Sequence, residues 1–340
     1  MHKYTHVEAL YQVARYVKAT NANPECPEQY KVRTPVTFRG TVKLHGTNSG
    51  VTFGDQLVPQ SRNRELTVEN DNMGFAQFVA ERKEALRDLE QMLRRVHRID
   101  SDKELVLYGE WVGPGIQNGM ATNKLPEKQW VLFGAATVAE DESLEYVDIL
   151  GPLQDQYLKS QIHSVYDVKT WEITVDFSSD ESKEAAVAYF ERVTQEVEDK
   201  CPWGERFGIE GMGEGIVWVP TGEHWGNSDL YWKSKGDKHK EVKRAKRNRP
   251  SLDPEVLKSV EQFVEFSVTE ARLNKGLDYL AEMGKPLEQK STGDFLKWVG
   301  QDVKRECSTE LETNDLKWKQ VSKAVGDKAK GFFFAKTKAM

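Results

Sequence analysis

Lys43 stands in Thr41-Val42-Lys43-Leu44-His45-Gly46-Thr47-Asn48, and four more charged signals follow it at wide spacing. Arg62 lies in Gln60-Ser61-Arg62-Asn63-Arg64, and Glu110 in Leu107-Tyr108-Gly109-Glu110-Trp111. Glu214 lies in Gly213-Glu214-Gly215-Ile216-Val217, and Lys233 and Lys235 make a Lys-x-Lys pair. A lysine amine attacks only when neutral, and at its ordinary pKa of ~10.4 only about one in a few thousand is neutral at pH 7. Lowering that pKa by ~3 units takes ~4 kcal/mol of differential interaction. Neighbouring cations or a bound metal supply such a shift, and Lys233, Lys235 and magnesium are the candidates. Two ammonium groups converging from positions 233 and 235 would neutralise a phosphate and its transition-state charge. The set points to an enzyme that takes a nucleotide onto its own amine by attack on a metal-bound phosphorus.

Each group has a plainer use. Lysine on a strand edge discourages edge pairing, so Lys-x-x-Gly alone says little. Glu110 is followed by Gly113-Pro114-Gly115-Ile116-Gln117-Asn118-Gly119. That spacing is wrong for a dinucleotide fingerprint, and Pro126 opposes the long helix it would need. A loop bringing Glu110 to a ribose or a metal-bound water fits better; the alternative is a glycine-rich hairpin with a surface acid. Glu210 rivals Glu214, but Glu214 leads directly into Ile216-Val217-Trp218-Val219 and so marks a strand entrance. Trp225, Tyr231 and Trp232 interleave with the basic residues, a composition that stacks bases or simply fills a core. His45 fits a general acid, a phosphate contact or an internal hydrogen bond. The histidines and cysteines show no zinc-ligand spacing, and there is no Walker loop or Gly-x-Ser-x-Gly elbow.

The elements that must position these groups follow from periodicity. Val36–Phe53 alternates with period two, broken by Gly40, Gly46 and Gly50, which puts Lys43 and His45 on the face opposite Val42 and Leu44. Helical spacing covers 6–19, 74–98 and 181–199; strands are expected at 105–108, 130–135, 146–150, 172–177 and 215–219. This is not a regular βαβ alternation, so a mostly antiparallel α+β domain is expected. After Pro250 the pattern turns helical. Asp253 and Pro254 read as N-cap and first helical residue, and one apolar face runs from Val256 to Ala271. Further helices are expected at 275–283, 292–306 and 314–330. The expected boundary falls near 245–252, with domains over 1–245 and 246–340.

The chain has 340 residues, 38% hydrophobic and 30% charged, enough for two domains with real cores. No apolar run approaches the ~18 residues of a membrane span, and the start lacks a secretory signal's apolar stretch. Cys26, Cys201 and Cys307 are odd in number and far apart, so a reducing cytosol is expected rather than a disulfide framework. The net charge of −6 argues against non-specific coating of nucleic acid. Residues 233–249 nevertheless hold nine Lys/Arg against Asp237 and Glu241, a local +7 that leaves −13 for the rest. That segregation gives either one phosphate-binding face or a solvated arm.

These motifs resemble those of the covalent nucleotidyltransferases, and within them the RNA ligase 2-like family of phages and of trypanosome RNA editing. Lys43-Leu44-His45-Gly46-Thr47-Asn48 is similar to the family's nucleophile motif, and Tyr108-Gly109-Glu110-Trp111-Val112-Gly113-Pro114-Gly115-Ile116-Gln117 to its third motif. Phe133 matches the aromatic that stacks on adenine, and Glu214-Gly215-Ile216-Val217 and Lys233-Ser234-Lys235 match the last two motifs in order. The resemblance covers 43–235; the helical tail agrees only in kind.

It implies an antiparallel, ATP-grasp-like adenylation domain followed by a small all-α domain. It also implies a reaction through lysyl-AMP at Lys43 and an adenylylated RNA 5′ end. Asn48 and Arg62 would serve adenylate transfer and sealing. Glu110 would contact the ribose, Phe133 and Val217 sandwich the adenine, and Lys233 and Lys235 grip the α-phosphate. Glu214 would assist metal binding, with Glu110 a second metal candidate. Val42, before the nucleophile, is apolar where some members carry an acid. The implied cofactors are ATP and Mg²⁺, with Mn²⁺ as an alternative. The implied partner is RNA with 5′-phosphate and 3′-OH ends, in a nicked duplex, single strand or RNA–DNA hybrid. A cytoplasmic monomer acting in RNA repair is expected, in a host cytoplasm if phage-encoded. A DNA ligase or capping-type nucleotidyltransferase and a non-catalytic RNA-binding protein are the other classes.

Overall fold

The computed structural model describes residues 1–148, 151–240, 242 and 257–338. Helix α1 (Leu10–Ala22) leads into strands β1 (Val36–Lys43), β2 (Thr47–Phe53) and β3 (Leu57–Ser61). Helices α2 (Phe75–Glu81) and α3 (Lys83–His97) follow, then β4 (Leu105–Val112), β5 (Gln129–Val138) and β6 (Leu144–Val147). Next come α4 (Asp155–Leu158), β7 (Ile162–Ser164), β8 (Trp171–Val175), α5 (Asp180–Asp199) and α6 (Pro202–Arg206). Strands β9 (Gly215–Pro220) and β10 (Trp232–Lys235) complete the β-rich part. Behind it stand α7 (Val260–Ser267), α8 (Glu270–Glu282), α9 (Thr292–Glu306), α10 (Ser308–Thr313) and α11 (Trp318–Lys338).

The strands form two sheets. One runs β10-β9-β1-β8, antiparallel throughout; the other runs β3-β2-β4-β5-β6, with β7 adding to β5 in parallel. This is the antiparallel α+β class, followed by a helical region. Each sheet buries one face beneath helices. Phe38, Val42, Ile216 and Trp218 of the first sheet pack with Val13 and Val17 of α1 and Phe190 and Val193 of α5. Leu105, Leu107 and Trp130 of the second pack with Phe75, Leu86, Leu89 and Leu93 of α2 and α3. The helical region has its own core around Phe263, Phe295, Val299, Val325 and Phe333. The faces the two sheets leave uncovered by helices supply the walls of the cavity described below.

Several expected elements shift. The first helix begins at Leu10, where the Gln12 side chain accepts from the Ala9 N–H at 2.9 Å, so residues 6–9 stay extended. The pattern over 74–98 divides into α2 and α3 at Arg82. Strands β3 and β7 carry no clear alternation, since Pro59 interrupts one and His163 sits inside the other. The apolar face running to Ala271 is not one helix. Ser259 accepts from the Gln262 N–H to start α7, and Thr269 accepts from the Arg272 N–H to start α8. Local capping hydroxyls thus divide a continuous apolar periodicity. The Asp253–Pro254 start, the 245–252 boundary, Ile149–Leu150 and most of the basic run beyond Lys240 lie outside the described residues.

Candidate active site

Lys43 ends β1, and its position follows from strand register. Lys43 pairs with Gly215 of β9, and Lys235 of β10 pairs with the same glycine from the other side. The three strands therefore bring two lysines to the residue just before Gly215, which is Glu214. Lys43 Nζ donates to Glu214 Oε2 at 2.8 Å, and Lys235 Nζ lies 2.8 Å from Glu214 Oε1. His45 Nδ1 stands 3.4 Å from the Oε2 atom. Gly215 makes the approach possible: its φ is +149°, and a Cβ there would lie 2.0 Å from the Ser234 carbonyl oxygen. Glu210, by contrast, is exposed, and its carbonyl accepts from Lys124 Nζ at 3.1 Å.

Glu214 is buried, which by itself would raise its pKa. The ammonium groups of Lys235 and Lys43, with His45, outweigh that and hold the carboxyl well below the usual range. Glu110, on β4, goes the other way. Burial, with the Glu214 carboxylate adding, pushes its pKa up to about 7 despite Lys43 and the Gly46 N–H. That N–H donates to Glu110 Oε1 at 3.1 Å. The first charged contact of the Lys43 amine is thus a carboxylate, rather than the cations that chemistry at a neutral amine calls for.

A cavity of about 750 Å³ opens over this cluster, within the size range of small-ligand pockets. Lys43, His45, Asn48, Arg62, Glu110, Phe133, Glu214, Val217 and Lys233 all border it. Asn48 pairs across β2–β4 with Glu110. Arg62 Nη1 donates to the Tyr4 carbonyl at 3.0 Å and Nη2 reaches His6 Nδ1 at 3.1 Å. Burial and Arg62 push the His6 pKa down to about 4, so the ring is a neutral acceptor near pH 7. Val42 borders the cavity, but its side chain belongs to the core. Lys235 is buried beneath Glu214 and does not line the cavity, whereas Lys233 does and lies 3.5 Å from Glu306 Oε1.

The donor set bears on a metal. Among the described residues no group of three or more His, Cys, Asp or Glu is placed to hold an ion. Both oxygens of Glu214 are engaged by ammonium groups. The described residues therefore do not fit a resident all-protein metal site.

The sequence patterns missed one side of the cavity. Lys275, Asp278, Glu282, Arg305 and Glu306 reach it from α8 and α9, and Lys3–Val7 from the N-terminal segment. Asn63 donates to Glu282 from its backbone at 3.2 Å and from its amide at 2.9 Å, over 219 residues of chain. No local pattern carries such a contact.

The sequence profile of the RNA ligase family matches residues 36–235, the stretch from β1 to β10. The chain belongs to the RNA ligase family. No curated protein sequence matches it. Solved structures similar to this RNA ligase family member include Naegleria gruberi RNA ligase with PPi, at 17% identity and TM-score 0.42. A lysine-to-methionine mutant of that ligase with AMP and Mn and a lysine-to-alanine mutant with ATP and Mn each give 16% identity and TM-score 0.41. The match to the PPi form covers 70% of this chain and 56% of that one, so the chain spans a little over half the length of these ligases. Their coverage is 70% and 56% for the AMP form and 70% and 57% for the ATP form.

Proposed function

We propose that this RNA ligase family member is an ATP-dependent RNA ligase that works through an AMP adduct on Lys43. The observation that carries the reading is the convergence of Lys43, Lys235 and His45 on Glu214 at the floor of one cavity, with Phe133 and Val217 on its walls. In the first step the Lys43 lone pair bonds to the α-phosphorus of ATP and the bond to the β-phosphate oxygen breaks, releasing pyrophosphate. Next a 5′-phosphate oxygen of RNA attacks the adduct, returning the lysine amine. A 3′-OH then attacks the 5′-phosphate and AMP leaves. A divalent cation, Mg²⁺ or Mn²⁺, supplies Lewis-acid neutralisation of the phosphates when bound.

The chain's own groups do the positioning. Lys233 faces the cavity to take phosphate charge, while Lys235 fixes the Glu214 carboxylate from below. Glu110, at the rung of Asn48, takes a ribose hydroxyl, and Phe133 and Val217 take the two faces of a base. Holding the amine in line with the phosphorus supplies much of the rate in such transfers. The RNA is held by the 233–249 basic run and by the helical region that follows the boundary near 245–252. The protein is a cytoplasmic monomer, and repair of broken RNA is its role.

The test is mass spectrometry of protein incubated with ATP or GTP and Mg²⁺. An added AMP that is acid-labile and lost in Lys43→Ala supports the reading, whereas a GMP adduct would place the chain with capping-type enzymes. Sealing of defined RNA, DNA and hybrid ends then separates RNA from DNA ligation. No adduct and no sealing would overturn the proposal. For the RNA path, replacing Lys243, Arg244, Lys246 and Arg247 with alanine should flatten the salt dependence of RNA binding. An unchanged slope would place the strand elsewhere.

A further inference from the structure

Phe133 and Val217 can hold a base by its faces, but faces do not distinguish adenine from guanine. Val42 cannot either, because its side chain points into the core. A side chain that reads the base edge therefore stands elsewhere on the wall. Arg39, Thr41 and Lys43 share one face of β1, and their partners on β9 are Val219, Val217 and Gly215. At ~3.3 Å per residue the Arg39 rung lies about 13 Å from Lys43, comparable with the length of a nucleoside monophosphate. With phosphate at Lys43 and base over Thr41 and Val217, the far edge of the base meets the Arg39 rung.

Tyr166 closes the cavity there. Arg39 Nη1 lies 3.4 Å from the Tyr166 hydroxyl oxygen and 3.2 Å from Asp148 Oδ1. A guanidinium only donates, so the Tyr166 oxygen accepts and its own proton remains to be given away. Asp148 is held by Arg39, and among the described residues the Tyr166 hydroxyl donates to no group. Burial pushes the Tyr166 pKa above that of a free phenol, so the proton stays on the oxygen.

We propose that Tyr166, oriented by Arg39 and Asp148, is the specificity residue that selects adenine over guanine in this site. Its hydroxyl donates to the N1 lone pair of adenine. Guanine presents N1–H at that place, so two donors would meet and one would go unpaired. An unpaired buried donor weakens binding by about 10- to 100-fold. Arg39 and Asp148 are positioning residues that act through the hydroxyl. The assignment rests on the nucleotide-transfer reading above.

The experiment compares adduct formation on Lys43 at subsaturating ATP, purine riboside triphosphate (N1 acceptor, no amine) and inosine triphosphate (N1–H). Wild-type protein should favour the first two over the third by at least about 10-fold. Tyr166→Phe should bring purine riboside and inosine triphosphates towards equality while retaining adduct formation. Arg39→Met should erode the same ratio, and should erode it no further in the Tyr166→Phe background. That last result separates orientation of the hydroxyl from a general packing role. An adduct with an unchanged ratio in Tyr166→Phe overturns this assignment alone. Failure of every nucleotide to label wild-type protein overturns the transfer reading and this assignment together.

Discussion

Glu110 and Glu214 are two carboxylates in one cluster with opposite electrostatics, and each gives a measurable pH signature. Glu110 has its folded pKa raised from 4.5 to about 7, by burial first and by Glu214. Its contribution to stability is fully present below the unfolded pKa and is lost as pH rises through about 7. At ~1.4 kcal/mol per unit this amounts to about 3 kcal/mol between pH 4.5 and 8. Glu110→Gln should therefore flatten the decline of unfolding free energy across that window in urea titrations; an unchanged decline would remove Glu110 as its source. Glu214, held down by Lys235 and Lys43 against burial, contributes stability above the unfolded pKa that is lost as acid reaches its depressed folded value. Glu214→Gln takes a carboxylate charge away from the Lys235 ammonium, 4% exposed. Breaking a buried pair costs about 3–5 kcal/mol, so the variant should unfold at markedly lower urea and form no adduct. A variant of wild-type stability would show that groups other than Glu214 balance the Lys235 charge.

At the scale of elements, the cluster depends on the three-strand register β10-β9-β1 and on one glycine. Gly215→Ala places a Cβ against the Ser234 carbonyl at a φ that disfavours side chains. The backbone must open between β9 and β10, so Lys235 and Glu214 should separate. A lower melting temperature is expected, together with reduced adduct formation at temperatures where the variant remains folded. Full activity in a stable variant would mean the register does not set the site. Much of this element was readable in advance. Alternation put Lys43 and His45 on one face, and the Gly215-Ile216-Val217 run marked the mouth of a strand. The burial of Lys235 was not readable, because Lys-Ser-Lys after Trp232 has no apolar alternation and pairs as a strand only through β9. The start of helix α7 is hidden for the same kind of reason: the apolar spacing from Val256 to Ala271 is continuous, but the hydroxyls of Ser259 and Thr269 set the helix starts. Periodicity reports which face is buried; caps decide where the chain turns.

At the scale of the whole molecule, the helical region rests directly on the cavity through acids. Glu282 accepts from Asn63, and its carbonyl accepts from Arg64 Nε at 3.1 Å, one and two residues beyond Arg62. Glu306 stands against Lys233, with both side chains 17% exposed. Further out, Arg15 Nη1 donates to Thr309 Oγ1 at 3.0 Å, and Tyr11 donates to Glu310 at 3.1 Å. In a chain of net charge −6, these carboxylates occupy nitrogen donors that incoming phosphates would otherwise use. A polyanion entering the cavity must therefore compete with Glu282 and Glu306 for Asn63 and Lys233. Each partly exposed pair is worth about 0.2–1 kcal/mol, so relieving both should matter by a few-fold to about tenfold. Glu282→Gln with Glu306→Gln should lower the ATP concentration for half-maximal adduct formation by that factor. The Glu306–Lys233 part of the gain should shrink at high salt, because that competition is between charges. The outer contacts of Tyr11 and Arg15 keep the helical region docked, so a gain without a large fall in melting temperature would separate charge relief from undocking. The opposite result, weaker ATP use in the double variant, would mean that these carboxylates serve the bound nucleotide rather than compete with it, and the helical region would then be a working wall of the site.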